Sequence, residues 1–432
     1  MKQDDMLRRL DSSIMTNLFR THRIVIKRAK GTQVEDVDGN KYMDFMTVIT
    51  TAYLGHNPDY LVEAIKRAAE ELIAGGSYVY YSEHLLNASE KLLSLFPKEL
   101  SRVAFKPGGG EAVELALKLA RKYTKKQEVL VTMGSYHGRT TGSLTFHGSR
   151  RREFGPLPPG LSYVPYPYCY RCPTKANSCE ECSDSILQLI DSYLKFSGNR
   201  DYAAMIVEPV QGVGGIVYPP DSFFPKLANL LKESGSLLIF DEIQTGMGRT
   251  GTTWRFEALN ITPDIVVVAK GITGGLPLAA VVTKEDIANA MEPGDEHSTY
   301  AAPPLVMAAA EATLSYLIAN KEAILRNVNE VGEYALKLLA ELKERRKLIG
   351  DVRGKGLMIG IELVKDKESK KPAREETAQL CLDKALRRGL LLATSGWYGN
   401  VVRFAPPLTV SKEEVERAVS IIDESLKEME AS

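Results

Sequence analysis

No stretch of this sequence approaches the roughly 20 consecutive apolar residues that a helix needs to cross a bilayer. Runs such as Ile265 to Ala269 have the length of a buried strand instead. The first residues, Met1 to Ser13, hold Lys, Arg and Asp side chains where a secretory leader would need an apolar core. Net charge is lacking as well, because 55 basic residues balance 55 acidic ones. With no basic surplus, nothing draws the chain to nucleic acid or to an anionic membrane. Internal repeats and low-complexity linkers are also missing. These absences point to a globular protein of the cytoplasm. At 432 residues it is too long for one ordinary core, so two or more packed units are expected.

What is present reads as alternating elements. Asp38-Gly39-Asn40 is a turn between apolar segments, a hairpin signal. Further on, helical periods such as Glu111 to Tyr123 alternate with short β-rich runs at Val129–Val131, Ala204–Val207, Leu237–Phe240 and Ile265–Val268. These runs are continuously apolar, as suits strands buried on both faces of a parallel sheet. The alternation predicts an α/β doubly wound layer. After residue 320 the pattern is mainly amphipathic helix, interrupted at Gly350–Val364 and Leu390–Val410, and Ser411-Lys412-Glu413-Glu414 starts the last helix as a capping box. The expected organisation is a large α/β domain over 60–320 and a smaller α+β domain built from 1–59 and 321–432.

Three segments carry chemistry. Pro107-Gly108-Gly109-Gly110-Glu111 follows an apolar run and opens a helix, so its N–H groups can approach an anion. A plain strand-to-helix turn reads the same way. Asp241 follows the run Leu237 to Phe240, at the strand end where open α/β sheets bind ligands. It is either a solvated strand end or a carboxylate for a cofactor's ring nitrogen. Lys270 follows Ile265 to Ala269 and precedes Gly271; it is either a snorkelling lysine or a desolvated amine able to form an imine.

The order of these segments decides between the readings. The glycine turn, Tyr136-His137-Gly138-Arg139-Thr140, Glu208-Pro209-Val210-Gln211-Gly212, the Asp241 motif and Lys270 follow one another as in class III, or ω-type, aminotransferases. The sequence strongly resembles that family, 4-aminobutyrate, ornithine and acetylornithine aminotransferases among them, from about Glu35 to Leu426. The resemblance implies a fold type I enzyme of pyridoxal 5′-phosphate (PLP), with a mostly parallel, seven-stranded type of sheet between helices. It implies that Lys270 forms the Schiff base and shuttles the α-proton, and that Asp241 pairs with the pyridine nitrogen. Gln244 would lie near the phenolic oxygen, with Tyr136 on the ring face and His137 beside it. Gly109 and Gly110 would meet the phosphate, Glu208 would support the site, and Thr299 would reach the phosphate of a neighbouring subunit in a homodimer with shared active sites.

The sequence departs from the family in two places. Its phosphate turn has three glycines where a serine is usual, which removes a hydroxyl but no backbone donor. Val213 stands where many relatives carry a glutamate that masks the arginine matching Arg403, so Arg403 should stay open to a carboxylate. Arg139 matches a second carboxylate-binding arginine. Together they imply an aminotransferase moving an amino group from an amino acid to an oxo acid such as 2-oxoglutarate. Some archaeal members of the family are amino acid racemases or epimerases, and the segments around Gly354 and Tyr398 resemble those as well.

Cys169, Cys172, Cys179 and Cys182 form a compact cluster, with Cys381 apart. Two disulfides, a structural metal site and free thiols all remain open. The relatives need no metal, and none is expected in the chemistry.

Overall fold

The computed structural model describes residues 2–15, 22–76, 79–144, 154–156, 158–197 and 201–431. By its internal packing the chain divides into two compact units, Tyr60–Leu325, and Met1–Asp59 together with Arg326–Ser432. The second division falls inside one long helix, Pro304–Arg345.

The larger unit is built on a seven-stranded sheet. In chain order the strands are β1 (Arg102–Lys106), β2 (Glu128–Thr132), β3 (Leu161–Val164), β4 (Tyr202–Val207), β5 (Leu237–Asp241), β6 (Ile265–Val268) and β7 (Ala279–Thr283). They lie side by side as β1-β7-β6-β5-β4-β2-β3. Neighbours from β3 to β6 run parallel, and β7 runs antiparallel to both β6 and β1. Every residue of β4 through β7 is buried, which is why these strands read as continuous apolar runs. Helix α1 (Gly109–Thr124) lays Ala112, Val113, Leu115, Ala116, Leu119 and Ala120 on Val129, Ile206, Ile239 and Val267. Truncating a wholly buried side chain of that layer, such as Ile206→Ala, should cost about 2–5 kcal/mol.

Helices α2 (Thr141–Leu144) and α3 (Cys179–Phe196) follow β2 and β3. Ser178 caps α3 by accepting from Glu181 N at 3.1 Å. The cysteine cluster forms two disulfides, Cys169–Cys179 and Cys172–Cys182, with Cα separations of 4.9 and 6.0 Å. They tie the turn after β3 to the first two turns of α3. Cys381 is free and buried.

In the smaller unit, the expected hairpin pairs Gln33–Asp36 with Lys41–Asp44, and Asp36 Oδ1 accepts from the N–H groups of Asp38 and Asn40 at 2.9 Å each. The capping box closes on both sides, Glu414 N to Ser411 Oγ at 3.2 Å and Ser411 N to Glu414 Oε2 at 3.0 Å. One turn departs from every local preference. Thr47, Val48, Ile49 and Thr50 are all left-handed, with φ from 48° to 62°, a conformation that costs an L-residue roughly 1–2 kcal/mol. Asp44 Oδ1 holds the turn by accepting from Met46 N and Thr47 N at 2.9 and 2.8 Å. Among the described residues, no helix is long and apolar enough to cross a membrane.

Candidate active site

The parallel strands all end at one edge of the sheet, and the chemistry-bearing residues follow those ends. Asp241 closes β5 and is buried. Its Oδ2 lies 2.6 Å from Nδ1 of His137, and its Oδ1 accepts from Ile243 N at 3.0 Å. An ionised carboxylate only accepts, so Nδ1 of the imidazole carries the proton.

On the neighbouring strand Val267 lies opposite Asp241, and Lys270 opens a short 3-10 turn just beyond. Lys270 is half-buried, and its φ of 50° is left-handed. A non-glycine residue in that region costs roughly 1–3 kcal/mol, and such strain collects at functional positions.

Glu208 follows β4. Its Oε1 accepts from Tyr136 N at 2.8 Å and its Oε2 from Gly212 N at 2.9 Å. Burial pushes this carboxyl up to about 7; His137 opposes the rise, Asp241 adds to it, and the two backbone bonds oppose it. The hydroxyl of buried Tyr166 donates to the carbonyl of Glu208 at 2.9 Å, which fixes the strand end from the other side. Gln244 is buried against Gly212, where any Cβ would overlap its amide, so the turns after β4 and β5 interlock.

Helix α1 begins at Gly109, and its N-cap Gly108 supplies no side-chain acceptor. The N–H groups of the first turn therefore have no partner within the helix and can serve an anion. Tyr136 and Arg139 lie nearby in sequence to Gly138, whose backbone packs on Gly110. The Arg139 guanidinium sits 5.7 Å from the centre of the Tyr136 ring, and Arg139 is exposed.

The larger unit thus brings Lys270, Asp241, His137, Glu208, Gln244, Tyr136, Arg139, Gly109 and Gly110 to one end of its sheet. Thr299 stands exposed on the loop between β7 and the long helix, where Ser298 Oγ is 3.5 Å from Glu111 Oε2. Arg403 belongs to the smaller unit. It is buried on the strand Val401–Phe404, opposite Gly360 and Ala393. Sequence reasoning did not single out Glu114, Ser143 or Tyr166, and quoted Thr140 only within its motif. A glutamate on a charged helix and a tyrosine among prolines carry no local pattern that marks them.

The sequence model of the family Aminotransferase class-III matches residues 16–426. The alanine/serine racemase of Pyrococcus horikoshii is 40% identical over 428 residues, covering 97% of this chain and 88% of that protein. The probable 4-aminobutyrate aminotransferase of Bacillus subtilis is 35% identical, covering 96% of each. Among solved structures, an amine transaminase from an uncultivated Pseudomonas species in its PLP-bound form superposes with a TM-score of 0.90 at 31% identity, over 96% of this chain and 97% of that one. The chain belongs to the class-III aminotransferase family and is an enzyme of pyridoxal 5′-phosphate. Its donor set fits that group: a lysine amine for the aldehyde, a buried carboxylate for the ring nitrogen, and an uncapped, glycine-lined helix start for the phosphate.

Proposed function

We infer that the enzyme transfers an amino group from an amino acid to a 2-oxo acid such as 2-oxoglutarate. The observation that carries the reading is the placement of Lys270 and Asp241 on adjacent strand ends, beside a buried histidine. PLP, when bound, supplies a ring that takes up the electron pair left as the α-proton departs. Lys270 is the base that removes that proton and returns it. Asp241 would hold the ring nitrogen, with His137 keeping the carboxylate in place. Tyr136 would cover the ring face, its backbone fixed by Glu208. Arg139 takes a second carboxylate of the substrate. Arg403 takes the α-carboxylate, a role that rests on the family resemblance and on Val213.

The working form is a homodimer in which Thr299 serves the neighbouring copy. Supporting it, the larger unit leaves Leu72, Ile73, Tyr81 and Tyr300 exposed, the last two at 90% and 73%. These are side chains that a second copy could cover. The location proposed is the cytoplasm, where amino acids and oxo acids are drawn on together.

Amino acid racemisation is the second reading, favoured by the 40% identity to an alanine/serine racemase and by the segments around Gly354 and Tyr398. The two reactions share proton removal by Lys270 and differ in where the proton returns. A panel of single-enantiomer amino acids, with and without 2-oxoglutarate, separates them. Transfer predicts turnover only with the acceptor and unscrambled enantiomers. Rapid racemisation with no oxo acid present would replace the first reading by the second.

A further inference from the structure

One face of α1 carries Gly110 and, four residues on, Glu114, a spacing that stacks them along the helix. The segment Tyr136–Ser143 crosses that face. Near Gly110, a Cβ on Gly138 would lie 2.6 Å from Gly110 Cα, so the two backbones are in direct contact; the φ of 134° at Gly138 also suits only glycine. Near Glu114, the carboxylate Oε1 accepts from Thr140 Oγ1 at 2.6 Å and from Gly142 N at 2.9 Å. Thr140 Oγ1 is in turn 2.8 Å from Oγ of fully buried Ser143. The segment is therefore pinned at one end by backbone contact with the glycine turn and at the other by a single side chain.

We propose that Glu114 is a positioning residue, which by holding Thr140 and Gly142 sets where Tyr136 and Arg139 stand over the glycine turn. This rests on the reading of Gly110 and Tyr136 as cofactor contacts and of Arg139 as a carboxylate contact. Glu114 touches neither cofactor nor substrate in this role. Its two acceptor bonds fix a wall, and the wall fixes both the cofactor face and the reach of the guanidinium. Without them, Tyr136 keeps its bond to Glu208 and His137 its bond to Asp241, but Thr140 and Gly142 lose their hydrogen bonds to α1.

The test compares wild-type holoenzyme with Glu114→Ala, Glu114→Gln and Thr140→Val. It measures PLP dissociation by absorbance after dialysis, Tm, and the ratio of kcat/KM for a dicarboxylic against a monocarboxylic substrate. Glu114→Ala should loosen PLP about tenfold and lower that ratio by a similar factor. Glu114→Gln should stay within about twofold of wild type, since its amide oxygen accepts from the same donors. A pure stability role would lower Tm and leave the ratio unmoved, which would overturn the proposal. So would a Glu114→Gln enzyme as impaired as Glu114→Ala, because charge rather than tethering would then matter. Should Glu114→Ala not fold, Thr140→Val decides; an unchanged ratio in that isosteric variant also overturns the proposal. The underlying reading fails separately: wild type would then bind no PLP, or Arg139→Ala would leave the ratio unaltered.

Discussion

The imidazole of His137 and the carboxylate of Asp241 form a wholly buried pair, Nδ1 to Oδ2 at 2.6 Å, joining the segment after β2 to the end of β5. Ile243 N holds the other carboxylate oxygen, so the group cannot rotate. A fixed acceptor beside the Lys270 strand end is what a protonated ring nitrogen requires. The same pair lies close to Glu208, whose carboxyl it influences in opposite directions.

Removing the donor should therefore cost catalysis more than folding. His137→Leu should lower kcat/KM by about one to two orders of magnitude, the worth of a hydrogen bond to a charged group. Asp241→Ala should retain some cofactor and lose most turnover, and Lys270→Ala should lose it altogether. Steady-state rates and the absorbance of bound cofactor check each variant. Full turnover in His137→Leu would leave the pair a packing feature only.

A buried carboxyl outside the site gives stability a pH dependence. Glu242 accepts from Phe256 N at 3.0 Å and from Thr245 Oγ1, yet burial pushes its carboxyl from 4.5 up to about 7. A folded-state value above the unfolded one means its contribution is fully present below about pH 4.5 and lost as pH rises through about 7. Glu242→Gln removes that loss. The Tm of the variant, measured against wild type, should move in its favour between pH 5 and pH 8; a constant difference would refute the assignment.

The disulfides each span a sequence separation of ten residues, for which chain entropy assigns about 2–3 kcal/mol. Thiol titration of unfolded, unreduced protein should find Cys381 alone, and reduction should lower Tm. Five thiols with zinc near one per chain would show a metal brace in place of the cross-links.

How much of this was legible in the sequence depended on whether the physics was local. The strands Ala204–Val207, Leu237–Phe240 and Ile265–Val268 stood out because burial on both faces needs unbroken apolar runs. The hairpin at Asp38 and the cap at Ser411 stood out because their hydrogen bonds close within a few residues. β7 did not, since it is an antiparallel strand set between its near neighbour β6 and β1, which lies far away in the chain. The left-handed turn of Thr47–Thr50 contradicts the preference of each residue in it and is set by Asp44. Within the candidate site, Lys270, Asp241 and the glycine turn were singled out by their order, whereas the bond between Glu114 and Thr140 exists only in the fold.

The two arginines should separate by substrate. Arg139 is exposed beside the Tyr136 ring, where a substrate carboxylate can reach it. Arg139→Ala should weaken dicarboxylic substrates, 2-oxoglutarate among them, by about one to two orders of magnitude, the worth of a bidentate charge-assisted contact, and spare monocarboxylic amino acids. Arg403→Ala should instead weaken all amino acids alike, because with valine at position 213 no glutamate there can take the guanidinium away from the α-carboxylate. Measuring kcat/KM for one mono- and one dicarboxylic donor in both variants resolves the assignment. Equal losses for both donors in Arg139→Ala would mean that this arginine holds the α-carboxylate. A selective loss in Arg403→Ala would exchange the two roles.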